Sequence, residues 1–251
     1  MLKFHLLSER QVKRLAHKKI VFVIVEGPSD EEALGLFFNR IYDKNSVYIH
    51  IVHGDLTTKS GNIKNRIADA VRAYASSTHL KKEHFQEVIH IIDMDGAYIS
   101  DNAIVEDLSV SKTVYTVTEI RTCNPKGIIT RNRDKRKNID VISSLPSVWG
   151  GVSYKAYFMS CNLDHVLYDK LNCTDQEKED YAFAFAKKYK DNIPGFVDFI
   201  SASDFSVSGD YLETWNFIKQ DKHSLERHTN LGICLREKLY NTINNKEEKK
   251  S

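Results

Sequence analysis

Several features are missing from this chain of 251 residues, and each absence closes off a class of function. No apolar run approaches the roughly 18 residues that a membrane-spanning helix needs. The longest, Ile20 to Val25, is the length of a strand. Met1 to Lys19 is interrupted by Lys3, His5, Glu9, Arg10, Lys13, Arg14 and Lys18, so it lacks the apolar core of a secretory signal. A cytoplasmic protein without membrane contact is therefore expected. Cys123, Cys161, Cys173 and Cys234 are widely spaced and form no Cys-x-x-Cys pair. That argues against a structural zinc module and for free thiols. No His-x-x-x-His pair is present either. His50 and His53 lie three apart on an expected strand, which sends them to opposite faces. There is no P-loop, so any ATP chemistry must come from another chain. Nor is there an excess of one charge. Lys and Arg number 36 against 34 Asp and Glu, so binding of a polyanion must rest on local clustering.

What is present reads as an alternating α/β chain. Lys19 to Val25 is an unbroken apolar run, the pattern of a parallel strand covered on both faces. Glu26-Gly27-Pro28 ends it. A helix is expected from Ser29 to about Tyr42, with Ser29 and Glu32 at capping-box spacing. Val47 to Val52 is a second strand. Ile63 to Ser77 has helical periodicity through Ile63, Ile67, Ala70, Val71 and Tyr74. Val88 to Ile92 is a third strand, ending in Asp93-Met94-Asp95-Gly96. Strand, helix, strand, helix, strand predicts a doubly wound, mostly parallel sheet flanked by helices. Ligands gather beyond the carboxyl ends of such strands, and both acidic clusters fall there.

Other elements are expected around this core. Residues 8 to 18 form a short helix capped by Ser8. Val114 to Ile120 is a strand, with Ile128 to Thr130 able to pair with it, and Lys155 to Met159 is another. Helices run from Asp175 to about Lys190 and from Asp210 to about Tyr240, before a frayed tail from Asn244 to Ser251. Ala182, Phe183, Phe185, Ala186 and Tyr189 make a packing stripe. The division expected is a catalytic core over 1–170, with a basic insertion near 110–150, followed by a helical accessory or dimerisation region over 171–251.

Glu26, Asp93 and Asp95 are the candidate catalytic residues and metal ligands. Asp93 and Asp95 are two apart at a strand end, which in extended geometry places them on one side. Carboxylates converging without a cation repel one another. A divalent ion relieves that repulsion, and carboxylate oxygens suit magnesium, or manganese in its place. The bland reading is that Asp95-Gly96 is only a turn. Asp30 is either a further site acid or a first-turn carboxylate facing the positive end of a helix. Asp164 is either a further acid or the N-cap of the helix after it.

The segment Ile24-Val25-Glu26-Gly27-Pro28-Ser29-Asp30, followed by Ile91-Ile92-Asp93-Met94-Asp95-Gly96, resembles the TOPRIM pattern: a strand ending in Glu-Gly, then a strand ending in Asp-x-Asp. The resemblance spans roughly residues 19 to 165. It implies a TOPRIM (Rossmann-like) fold in which Glu26, Asp93 and Asp95 surround the metal and Glu26 moves protons. In length and layout the chain looks similar to the AriB-like effector nucleases of PARIS antiphage systems. That likeness implies a metal-dependent endoribonuclease that cuts host transfer RNA and arrests translation. It implies an ABC-type ATPase partner subunit (AriA-like) that holds the nuclease until a phage protein triggers release, and a homodimer when active. Alternatives are a TOPRIM DNA nuclease of the overcoming-lysogenisation-defect type and a non-catalytic binding module. Asp93-Met94-Asp95-Gly96 also resembles the first motif of haloacid-dehalogenase phosphatases. That motif normally lies near the N-terminus and continues with Thr or Val, whereas Ala97 follows here, and it leaves Glu26-Gly27 unexplained.

Arg131, Arg133, Lys135, Arg136 and Lys137 lie within seven residues and are the candidate nucleic-acid-binding cluster. The plainer reading is a solvated loop or a docking surface for an acidic partner. Trp149, Tyr154 and Tyr157 are either core residues or platforms for unpaired bases.

Overall fold

The computed structural model describes residues 18–248. Lys19–Val25 forms strand β1. Ile20 to Val25 are each at most 1% exposed, which explains why the run does not alternate. Val21, Val23 and Val25 enter the core on one face of the sheet, and Ile20, Phe22 and Ile24 the core on the other. Helix α1 (Pro28–Ile41), strand β2 (Val47–His53), helix α2 (Ile63–Ser77) and strand β3 (Phe85–Asp93) follow. β1 pairs in parallel with both β2 and β3, so the expected alternation is present.

Short strands β4 (Ile104–Glu106), β5 (Val114–Tyr115) and β6 (Ile120–Thr122) form a separate small sheet in the order β4-β6-β5. Helix α3 (Pro125–Ile142) comes next. Strands β7 (Ser147–Val148) and β8 (Val152–Met159) then complete the main sheet, in the order β2-β1-β3-β8-β7. β8 runs parallel to β3, and only β7 is antiparallel. The last helices are α4 (Leu163–Tyr168), α5 (Asp175–Tyr189), α6 (Ile193–Ala202), α7 (Tyr211–Ile218) and α8 (Leu231–Glu248). The result is an α/β architecture of Rossmann-like kind, a mostly parallel sheet with helices on both faces.

The two faces are covered by different parts of the chain. Buried residues of α1, α4, α5, α6 and α8 pack on one face, and those of α2, α3 and α7 on the other. Phe196 of α6 stacks on Phe37 of α1 with ring centroids 3.7 Å apart. The C-terminal helices therefore share a core with β1 and β3. Tyr154 and Tyr157 are core residues, each 1% exposed, and Trp149 packs edge-on against Phe85.

Four sequence expectations are corrected. Ile128 to Thr130 is not a strand but lies inside α3. Asn124 caps that helix by accepting from the Gly127 amide, and Pro125 fits its first turn. The strand expected over Val114 to Ile120 is two short strands, because the Thr116 hydroxyl accepts the Thr118 and Glu119 amides and turns the chain. The helix expected from Asp210 to Tyr240 is broken between α7 and α8. That stretch gives its backbone groups to other loops: the Ser224 carbonyl accepts the Gly96 and Cys161 amides, and the His228 carbonyl accepts the Ser160 amide. Finally, Ser29 and Glu32 do not form the capping box of α1. Pro28 starts the helix one residue earlier, so Gly27 is the N-cap, and Asp30 accepts the Gly27 amide at 2.8 Å. The helix expected from Ser8 lies outside the described residues. The α8 backbone continues to Glu248, past the point where fraying was expected, and residues 249–251 lie outside the description. Among the described residues no helix is long and apolar enough to cross a membrane.

Candidate functional site

Parallel pairing of β1 and β3 brings their carboxyl ends together. Glu26 directly follows β1, and Asp93 is the last residue of β3. The Asp93 amide donates to Glu26 Oε1 at 3.1 Å, which ties the two acids across the sheet. Asp93 Oδ1 in turn accepts the Leu163 amide at 3.1 Å, at the start of α4 beyond β8. The chain then turns sharply. Asp95 takes φ = +51°, a left-handed conformation that Asp tolerates better than most residues. Gly96 follows at φ = +66°, where an added Cβ would meet Leu225 Cδ2 at 2.6 Å and Ile120 Cδ1 at 3.0 Å. Only glycine fits there. Amides of residues 94, 95 and 96 donate to the carbonyls of Met159, Cys161 and Ser224, so two other segments, the end of β8 and the stretch between α7 and α8, hold this turn.

The most informative neighbour is Lys135. Its side chain is fully buried, and its ammonium contacts Asp95 Oδ2 and lies 3.4 Å from Glu26 Oε1. Burial alone would lower its proton affinity, but Asp95, Glu26 and Asp55 outweigh that and raise it, so it stays charged. Asp55, in the loop after β2, is a fixed anion. Burial acts to raise it, yet Lys135 and hydrogen bonds from Thr57 and Thr58 hold it down at about 2. Glu26 behaves oppositely. Burial, with repulsion from Asp55, Asp95 and Asp30, outweighs Lys135 and pushes its carboxyl up to about 8. Asp93 is raised well above the usual carboxylate range, by burial first and then by Glu26, Asp30 and Asp95.

Asp30 and Asp164 form a second group beside the first. Asp30 is 8% exposed and is pushed up to about 6, mainly by burial, against the Gly27 hydrogen bond. Asp164 is not the N-cap of α4, since Asn162 takes that role by accepting from the His165 amide. Asp164 lies inside the helix, 4% exposed, and pairs with Lys178 of α5 at 3.5 Å. Lys178 also feels Asp93 and Asp30, so each acid group has its own lysine.

The basic segment divides by helical period. Arg131, Asn132, Lys135 and Asn138 face inward. Arg131 Nη2 donates to the Asp95 carbonyl at 2.8 Å, and its Nη1 to the Tyr115 hydroxyl at 2.5 Å. Asn132 donates to the Gly96 carbonyl at 3.2 Å, and Asn138 to the Thr57 and Lys59 carbonyls. Arg133 and Lys137 are exposed, and Arg136 is partly exposed, 3.9 Å from Asp101. Lys135 thus belongs to the acid cluster, Arg131 to the turn that carries Asp95, and only the outer residues remain open to a ligand. Sequence reasoning missed Asp55, Lys178 and the inward role of Lys135. The signal for Lys135 was available: Asn124-Pro125 marks a helix start, and Arg131, Lys135, Asn138 and Ile142 share one helical stripe. His50 and His53 diverge. His50 stacks on Tyr74 with centroids 3.7 Å apart, while His53 lies 3.3 Å from Glu31.

Hard carboxylate oxygens are the right donors for magnesium or manganese. Glu26, Asp93 and Asp95 would hold the ion. As the side chains stand, no three histidine, cysteine, aspartate or glutamate residues among those described converge into a shell that could grip one. The positive charge between Glu26 and Asp95 is the Lys135 ammonium. No family model, curated protein or solved structure matches the chain.

Proposed function

We propose that the chain is a metal-dependent nuclease of the TOPRIM kind, with Glu26, Asp93 and Asp95 at its centre. The observation that carries this reading is the hydrogen bond joining Asp93 to Glu26 at the carboxyl ends of two paired parallel strands. Acids placed there on one sheet edge are where an α/β sheet takes its ligands. A bound divalent ion would polarise a phosphodiester and lower the proton affinity of water. The protein's own part is distinct. Glu26, whose carboxylate accepts the Asp93 amide at the sheet edge, is the residue we assign to receive a proton from an attacking water. Arg131 and Asn132 hold the turn that carries Asp95. Arg133 and Lys137 offer exposed charge to phosphates.

The substrate we propose is transfer RNA, cut inside the cell as an antiphage effector after release from an AriA-like ABC-type ATPase, with the freed nuclease acting as a homodimer. RNA, partner and dimer rest on the likeness to AriB-like nucleases. Mapping of small-RNA and DNA ends after induction tests the proposal, in cells expressing the parent chain or Glu26→Ala. New transfer-RNA ends that vanish with Glu26→Ala are expected. Broken DNA beside intact transfer RNA would move the assignment to a DNA nuclease. Equal toxicity of parent and variant would remove catalysis from this site.

A further inference from the structure

Lys135 is the fully buried member of a segment that otherwise reads as a phosphate-gripping surface. Its neighbours Arg133 and Lys137 reach solvent on the far side of α3, while its ammonium contacts Asp95 and approaches Glu26. These are two of the three carboxylates that would hold a divalent ion. An ammonium and a divalent cation cannot share that position, because at such separations their repulsion is large in a buried setting. The described acids do not form a shell among themselves, so an ion must draw Glu26, Asp93 and Asp95 together as it enters. The lysine stem is long and flexible enough to withdraw. A second anion, Asp55, lies within its electrostatic reach and is fixed by four hydrogen bonds from Thr57 and Thr58.

We propose that Lys135 is a built-in competitor for the metal: its ammonium occupies the place against Asp95 and beside Glu26 and must leave it before a divalent cation binds there. The inference rests on the reading that these carboxylates are metal ligands. Its consequence is that Lys135 sets the metal affinity, and that metal entry frees one positive charge beside the site.

The test is calorimetric titration of Mn²⁺ into the full-length chain and into Lys135→Gln, with folding checked by circular dichroism. Lys135→Gln should bind Mn²⁺ roughly ten- to hundredfold more tightly, the usual range for coupling between two ligands. Equal or weaker binding by the folded variant overturns the proposal while leaving the metal site intact. If neither protein binds Mn²⁺ at millimolar concentration, the nuclease reading falls and the inference with it. Should Lys135→Gln fail to fold, the wild-type chain gives the answer. Acylation of Lys135 by an amine-reactive reagent, followed by mass spectrometry, should quicken at least about tenfold when Mn²⁺ is added. Unchanged labelling at a Mn²⁺ concentration that saturates the site overturns the proposal.

Discussion

At the scale of single residues, the acid cluster sets function against stability. Glu26 holds its proton more firmly in the folded chain, up to about pH 8, than at its ordinary value of 4.5. Its contribution to stability is complete below pH 4.5 and is lost as the pH rises through 8. Glu26→Gln keeps an acceptor for the Asp93 amide and cannot ionise. The variant should therefore gain stability over the parent as the pH rises from 4.5 to 8, reaching a few kcal/mol at pH 9, since each pH unit between the two values is worth about 1.4 kcal/mol. Urea titrations at about pH 5 and pH 9 measure this, and equal differences at both would contradict it. His90 works in the other direction. Burial depresses it to about 3 from 6.5, and its Nδ1 lies 2.9 Å from the Tyr154 hydroxyl. The unfolded chain takes up that proton first, so stability falls as the pH drops from 6.5 towards 3. His90→Gln should flatten the acid limb of a plot of stability against pH over that window.

At the scale of elements, helix α3 decides how the site is read. Its charges looked like one surface because Arg131, Arg133, Lys135, Arg136 and Lys137 are adjacent in sequence. A helix turns by about 100° per residue, so neighbours in sequence separate in space. The start signal was Asn124-Pro125, and its weight can be measured. Asn124→Ala removes the acceptor for the Gly127 amide and should cost about 1 kcal/mol in chemical unfolding. The strands β1, β2 and β3 and the helices between them were legible, since unbroken apolar runs and regular periodicity leave few alternatives. Glu26, Asp93 and Asp95 were legible as strand-end acids for the same reason. Asp55 and Lys178 were not, because each is a single charge in a polar stretch whose place depends on tertiary packing. The break between α7 and α8 was hidden for a related reason: the partners of residues 219–230 are backbone groups far away in sequence.

At the scale of the whole molecule, the helices after residue 172 cover both faces of the sheet, α5, α6 and α8 on one and α7 on the other. Phe185, Phe196 and Ile200 pack in the same core as Val21, Val23 and Val25. Phe196→Ala removes the ring stacked on Phe37 and should destabilise the chain by about 3–5 kcal/mol. Truncation after Asn172 should give insoluble protein, because it bares the apolar surface that α5, α6 and α8 cover on one face and α7 on the other. A soluble, monodisperse fragment with native circular dichroism would show that the sheet does not need this cover.

The segment between α7 and α8 has a consequence for the timing of synthesis. The turn that carries Asp95 is fixed by the carbonyl of Ser224, and β8 by the side chains of Thr229 and Asn230. A ribosome must therefore make the chain as far as Asn230 before the acids near position 95 gain their final support. Contacts so distant in sequence form late, so the nascent chain passes most of its elongation without an assembled site. Under the nuclease reading proposed above, chains terminated before Ser224 would lack this support and are expected not to cut.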